Sequence, residues 1–454
     1  LIKSYKLERF ESKEKILYLP VSLDLENIQT ISLGSLQTAA ECQKHPNGRN
    51  VVSISSSLAE ELSLPPFITT IYLFRNENTI ILGPLIGIFT SGFTSFLMKP
   101  IGERSAFFSK LLSLQSSMGV IPFVFGEKHI DWENGLVKGW FYIRNEWKTH
   151  IVPLPNVIYD RLPNRRSEKK PGYQELKSRL QTEYGIPWYN PGFFNKLEVF
   201  ERLENDDEAI RYLPETHAFQ SFSQIERMMS KYGHVFIKPK NGSLGMGVHQ
   251  FTYNRLTEEY YCRFQDKNGG NRLVRSGSLE KLVQRLIPAK ILNRMVIQQG
   301  IHLIKSEEHP VDFRVHTNKD ENGIWQVSAI AGKAAGEGSV TTHLHNGGKV
   351  LSLQEIFTDE NQFLRTEEKL RTAALILSSA IERNMEGFIG EIGFDFGIDT
   401  IGRVWLFEAN SKPGRSIFTH PDMKPFELLT RRLSLSFGLY LTQQSIRQPQ
   451  ETLT

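Results

Sequence analysis

The sequence predicts a multidomain α/β protein, and three observations carry that expectation. From about residue 78 onward, short β-branched and aromatic runs alternate with stretches of helical period. An acidic segment near the C-terminus reads as a β-hairpin (Gly390 to Asn410). At 454 residues the chain exceeds one ordinary core, which points to two or three domains. A content of 40% hydrophobic and 23% charged residues describes a soluble globular protein and excludes a disordered one. The net charge of +4 permits an anionic ligand but does not call for nucleic acid. Cys42 and Cys262 lie far apart in no metal or redox motif, which fits a reducing cytosol.

Residues 1–75 show short β-like runs (Lys15 to Val21, Asn50 to Ser55) and one helical stretch, Ser57 to Leu62, and read as a β-rich domain. Residues 76–165 read as a small α/β domain with a largely parallel sheet. Its elements are a strand-like Thr79 to Thr90, a helix Ser105 to Met118, a strand Val120 to Gly126, a hairpin from Gly139, and a strand from Val157. Thr79 to Met98 carries no charge, but Gly83, Pro84, Gly87 and Gly92 break it up, so a buried strand, turn and loop are expected, not a membrane span. The run Arg161 to Lys170, five of whose ten residues are basic, reads as a solvated linker, with a binding site for anions as the alternative.

Residues 166–454 form the third expected domain. Helices are predicted at Tyr173 to Tyr184, Lys196 to Leu203, Gln220 to Tyr232 and Glu367 to Asn384. Strands are predicted at Arg294 to Gln299, Asp312 to Asn318 and Ile324 to Gly332.

Chemistry concentrates at two places. In the hairpin, Ile392, Phe394, Phe396 and Ile398 alternate with Glu391, Gly393, Asp395 and Gly397, so apolar and acidic residues take opposite sheet faces. With residues 400–403 as the turn, Asp395 falls opposite Glu408, their Cβ atoms roughly 5 Å apart, and Asn410 shares the face of Glu408. Two carboxylates and an amide oxygen in one place repel unless a cation sits between them. Such hard oxygen ligands suit Mg²⁺ held partly by substrate phosphates, with Mn²⁺ as the alternative.

Upstream, the strand Val235 to Lys238 leads into Gly242-Ser243-Leu244-Gly245-Met246-Gly247. Glycines let backbone N–H groups close over phosphate oxygens, and Lys238 supplies a point charge. The order excludes a Walker A loop, in which Lys-Ser/Thr follows the last glycine. It is also a poor dinucleotide fingerprint, since no acidic residue follows at the required distance.

Taken in order, a series of segments resembles the ATP-grasp enzymes, in particular the YheC/YheD type of endospore coat-associated proteins. The segments are Asn195-Lys-Leu-Glu, Leu213-Pro-Glu-Thr, Phe236 to Val248, Val296-Ile-Gln-Gln-Gly-Ile, Asp312-Phe-Arg-Val, Ser339 to Lys349, the acidic hairpin, and Asn410-Ser-Lys-Pro-Gly-Arg. The resemblance spans roughly 195–416, and Gly83-Pro-Leu-Ile-Gly extends it to a pre-grasp domain. It implies two α+β subdomains gripping ATP, with a lid at about 213–300.

It further implies that Lys238, with Gly242, Ser243, Gly245 and Gly247, binds ATP phosphates and that Lys196 is a second nucleotide lysine. Gln298, Gln299 and Ile301 would meet adenine, Arg314 and Lys333 would act in catalysis, and Asp395, Glu408 and Asn410 would hold the metal. Some have plainer readings: an exposed helix-end lysine for Lys196, a buried strand end for Gln298 to Ile301, and a structural ion pair for Asp312 and Arg314.

The implied activity is an ATP- and Mg²⁺-dependent carboxylate–amine ligase working through an acyl phosphate, in the cytoplasm or at the spore coat. Amino acids or coat-protein side chains are its expected substrates. Two departures, Lys333 where arginine is common and His343 where asparagine is usual, favour a rival role as a nucleotide-binding coat-assembly protein. His343 and His345, without a third ligand nearby, read as substrate-loop residues and not as a metal pair.

Overall fold

The computed structural model describes residues 3–23, 26–240, 246–342 and 347–452. The described strands form four sheets in succession along the chain. The first is eight-stranded, in the order Leu36–Ala39, Thr30–Leu33, Thr79–Gly83, Thr70–Asn76, Ser4–Phe10, Val52–Ser55, Ile16–Leu19, Glu41–Lys44. The second has Leu85–Phe89 at its centre, parallel to Ile121–Phe125 on one side and to Val157–Asp160 on the other. Trp188–Tyr189 extends it in parallel, and the hairpin of Leu136–Ile143 and Glu146–Pro153 closes its far edge.

The run Thr79 to Thr90, expected as one strand, is two strands in two different sheets. Gly83 (φ +151°) and Pro84 divide them across a cis peptide; a proline has no N–H for the ladder, so the chain turns there into the second sheet. Ser105 to Met118 likewise divides into helices Ser105–Leu112 and Gln115–Met118, the second closed by Gly119 in the left-handed region.

The third sheet is antiparallel throughout, in the order Thr216–Ala218, Met295–Gln299, His234–Pro239, His249–Asn254, Glu259–Gln265, Asn271–Ser276. Helices Phe222–Tyr232 and Leu279–Leu286 bury Ile225, Met228, Leu282 and Val283 against it. The chain enters this lid at Thr216 and leaves it at Gln298, and these two residues are paired.

The fourth sheet is the floor, in the order Lys349–Leu351, Trp325–Ala334, His309–Lys319, Glu391–Ile398, Val404–Asn410. Its alternation sorts the residues by face. Val311, Phe313, Val315, Ile392, Phe394 and Phe396 meet helix Glu360–Asn384, whose Leu370, Ala373, Ala374, Leu377 and Ile381 recur at helical spacing. That helix starts where Asp359 Oδ1 accepts from Gln362 N (2.9 Å), earlier than the expected Glu367. Helix Lys424–Arg447 joins the second sheet to the floor: Leu435, Phe437 and Leu441 pack on Ile86, Ile88 and Tyr159. Gly390 admits Phe437 closely; a Cβ there would lie 2.1 Å from Cδ1 of that ring. Among the described residues no helix is long and apolar enough to cross a membrane.

The basic run Arg161 to Lys170 is only in part a solvated linker: Arg166, Lys169 and Lys170 are exposed, but the rest is structured. Arg161 is largely buried against Glu391, and Arg165–Glu168 forms a one-turn helix capped by Asn164. The partner carboxylate lies 230 residues away, too far along the chain for a local reading to find.

Candidate active site

The hairpin delivers the expected register by a different route. Its loop is five residues (399–403), because Ile398 pairs with Val404. Asp399 Oδ1 ties the loop by accepting from Ile401 N (3.1 Å) and Arg403 N (2.8 Å). The register then shifts by one at Phe407, between the pairs Phe396–Leu406 and Asp395–Glu408. A bulge of this kind re-aims the strand, so Asp395 faces Glu408 and Gly393 faces Asn410.

The carboxylates are not left to repel one another, as the sequence had suggested; basic side chains pair them. Arg314 donates from Nε to Asp395 Oδ1 (2.9 Å) and from Nη2 to Oδ2 (2.8 Å), a bidentate fork. Lys333 Nζ lies 2.8 Å from Asp395 Oδ1 and 3.0 Å from Asp312 Oδ1. Asp312 thus holds Lys333 and not Arg314, and it also accepts from Thr342 Oγ1. Lys196 Nζ, at the start of helix Lys196–Leu203, lies 2.8 Å from Glu408 Oε2. Burial raises the Asp395 carboxyl, but Arg314 and Lys333 outweigh it and hold the group well below the usual carboxylate range. The Asp312 carboxyl is raised, because its burial exceeds what Lys333 offsets. Lys333 itself is raised, since Asp312 and Asp395 overcome its desolvation.

Above this cluster the lid contributes Lys238, which donates to Gln298 Oε1 (2.8 Å), while Gln298 Nε2 donates to Thr216 Oγ1 (2.9 Å). Burial first, then repulsion from Lys196, pushes the Lys238 ammonium down to about 8. Gln299 exchanges hydrogen bonds with Glu215: its N–H donates to the Glu215 carbonyl (2.8 Å) and its Oε1 accepts from Glu215 N (3.2 Å).

One cleft between lid and floor is lined by Lys196, Lys238, Gln298, Gln299, Ile301, Lys333, Asp395 and Glu408. Phe236, Val248, Leu303 and Phe407 give it an apolar wall, and sequence reading missed all four because nothing marks an apolar residue as a ring contact. Arg314 reaches the cleft through Asp395, and Asn410 sits one pair along from Glu408. Gly247 (φ +72°) packs beside Pro239 at the strand end. Gly242, Ser243 and Gly245, together with His343 and His345, lie outside the described residues.

A cleft with one apolar wall, buried cations and oxygen-bearing side chains fits a nucleotide triphosphate with a divalent cation. Lys196 and Lys238 have the reach and charge for phosphates, and Asp395, Glu408 and Asn410 offer oxygens for Mg²⁺. A strand-borne lysine in an antiparallel lid, over a floor sheet carrying paired acidic strands, defines the ATP-grasp class. The chain belongs to the YheC/D-like ATP-grasp family, whose description matches residues 185–441. It is 41% identical to the endospore coat-associated protein YheD of Bacillus subtilis (strain 168), over 97% of this chain and 96% of that protein. It is 24% identical to YheC of the same organism, over 59% of this chain and 73% of that one. Among solved structures it is similar to D-alanyl-alanine synthetase A from Vibrio cholerae O1 biovar eltor str. N16961, at 14% identity and a TM-score of 0.43, covering 78% of this chain and 99% of that one.

Lys238 gives a direct prediction. A charge-assisted hydrogen bond to phosphate is worth about 1.5–3 kcal/mol, so Lys238→Met should weaken ATP binding roughly 10–100-fold while leaving the melting temperature nearly unchanged. The ammonium form is the one that binds, so wild-type affinity should fall as pH rises through about 8. The methionine variant should lose that slope. Calorimetry across pH 7 to 9.5 checks both; unchanged affinity in the variant removes Lys238 from the phosphate site.

Proposed function

We propose that this protein is an ATP-consuming carboxylate–amine ligase that works through an acyl phosphate, at or near the endospore coat. The observation that carries the reading is one cleft in which Lys196 pairs with Glu408, Arg314 and Lys333 pair with Asp395, and Lys238 lines the wall nearby. A carboxylate oxygen attacks the γ-phosphorus and ADP leaves; an amine nitrogen then attacks the acyl carbon, phosphate leaves and the amine loses a proton. The first step brings anion to anion, so positive charge must already be fixed in place. Bound Mg²⁺ would neutralise charge spreading over the transferring phosphoryl group.

The chain's own residues do the rest. Lys238 and Lys196 hold phosphate oxygens, with Lys196 exchanging Glu408 for the nucleotide. Arg314 and Lys333, fixed by Asp395 and Asp312, aim their charge at the acceptor carboxylate. The lid, residues about 213–300, closes to keep water from the acyl phosphate. The coat location follows the name of the relative YheD.

The test supplies ATP and Mg²⁺ with a panel of amino acids, peptides and coat extracts, and measures ADP together with new amide bonds. ADP is expected only when a carboxylate and an amine are both present. Tight ATP binding with neither ADP nor amide across the panel overturns the ligase in favour of a nucleotide-binding assembly role.

A further inference from the structure

The polar face of the floor continues past Asp395 into a second cluster that the reaction above does not use. His316 pairs with Gly393, and Asn318 with Glu391, so the face runs from the metal-ligand candidates toward the second sheet. Glu391 is 1% exposed and receives three donors from distant chain: Tyr159 Oη (2.5 Å), Arg161 Nη1 (3.2 Å) and Arg415 Nη2 (2.7 Å). Arg104 stands behind Arg161 and donates only to neutral oxygens, those of Thr90, Ser91 and Arg161. Among the described residues, two guanidinium groups therefore share the Glu391 carboxylate, and the third, Arg104, has no carboxylate of its own.

Two further observations point to a missing anion. Arg415 Nε and Nη1 are shielded from solvent and meet no hydrogen-bond partner among the described residues. Buried cationic donors left unmade are costly, so they mark a place where an acceptor belongs. His316, fully buried beside Phe418, also has both ring nitrogens without a partner among the described residues. Arg161, Arg415 and Arg314 each keep a sliver of exposed side chain (12%, 14% and 13%), so none is wholly sealed from solvent. Burial and Arg161 together push the Arg104 guanidinium down to about 10, the mark of cations crowded without a counter-ion.

We propose that the acceptor is an acidic peptide carrying two anionic groups, one carboxylate activated beside Asp395 and Arg314 and a second bound by Arg161 and Arg415. This rests on the ligase reading and names its substrate class. Four residues of strand separate Glu391 from Asp395, roughly 13 Å at ~3.3 Å per residue. That span exceeds a free dicarboxylic amino acid and suits two acidic side chains of an extended peptide. Arg415 Nε and Nη1 lie on different edges of the guanidinium, so each offers one donor to an acceptor oxygen while Nη2 stays on Glu391.

The test is calorimetry on the full chain with Mg²⁺ and a non-hydrolysable ATP analogue, so that it does not depend on turnover. The probes are a capped peptide with two glutamates separated by three alanines, which an extended chain puts on one face, its two single-glutamine analogues, and free glutamate. The diacid peptide is expected to bind at least tenfold more tightly than any other probe. Arg415→Gln should abolish that preference, while Glu391→Gln, which removes the competing carboxylate, should strengthen diacid binding several-fold. Equal binding of acid and amide peptides, or an intact preference in Arg415→Gln, overturns the proposal; free glutamate binding as tightly as the peptide overturns its spacing. If Arg415→Gln does not fold, Glu391→Gln decides: unchanged or weaker diacid binding overturns the proposal. Diacid preference without ADP formation from ATP when an amine panel is supplied with the peptide refutes the ligase and leaves this site standing. ADP formed equally from diacid and amide peptides refutes this site and leaves the ligase.

Discussion

An Asp395→Asn variant is expected to lose the Mg²⁺-dependent part of its ATP affinity, to turn over at least ~100-fold more slowly, and to melt below the wild type. The reason is geometric: one carboxylate holds the Arg314 fork and the Lys333 ammonium at 2.8–2.9 Å, and an amide can satisfy neither charge. Breaking a buried ion cluster by removing one partner costs about 3–5 kcal/mol, and Asp312 remains to offset only part of it for Lys333. Isothermal titration with and without Mg²⁺, paired with thermal melts, separates the two effects. A variant whose Mg²⁺ response matches the wild type would remove Asp395 from the metal set.

Asp160→Ala should be the most destabilising single change outside the cleft, again by about 3–5 kcal/mol. Asp160 is fully buried; Oδ1 accepts from Lys412 Nζ (2.6 Å) and Leu162 N (3.0 Å), while Oδ2 accepts from Tyr173 Oη and from Trp188 Nε1 (3.2 Å). Alanine strands an ammonium whose side chain is 2% exposed, together with a phenol and an indole N–H. Urea unfolding of wild type and variant measures the loss; a change under about 1 kcal/mol would show that water replaces the carboxylate at no cost.

The contrast between these two aspartates shows what the sequence made legible. Asp395 stood out because period-two alternation put it on the acidic face of a recognisable hairpin, and its pairing with Glu408 followed from strand arithmetic. The arithmetic needed a second, hidden term: the loop is one residue longer than expected, and the Phe407 bulge compensates. Lys238 was legible from what surrounds it, a strand end before glycines, whereas Lys196 at its helix start entered only through the family resemblance.

Asp160, Lys412, Arg161, Glu391 and Arg415 were not legible as partners, since three-dimensional proximity joins residues up to 252 positions apart. Glu391 did carry a signal, lying on the Asp395 face of the alternation. The error of reading carboxylates as unpaired has the same origin: the neutralising residues Arg314, Lys333 and Lys196 arrive on other elements.

The three consecutive residues Tyr159, Asp160 and Arg161 at one strand end all grip the floor, through Glu391 and Lys412. Asn190 adds a fourth clasp by bonding Gly390, Glu391 and Ser411. In kinematic terms this welds the second sheet and the floor into one link, to which the third sheet is joined along one edge. That joint is the two-strand strap of Thr216–Ala218 and Met295–Gln299, through which the chain enters and leaves the lid side by side. Lys238 is itself paired with Val296 of that strap, so the strap sets where Lys238 stands relative to the acidic hairpin. Gln298, seated in the strap and bonded to both Lys238 and Thr216, is where the lid's angle would be felt.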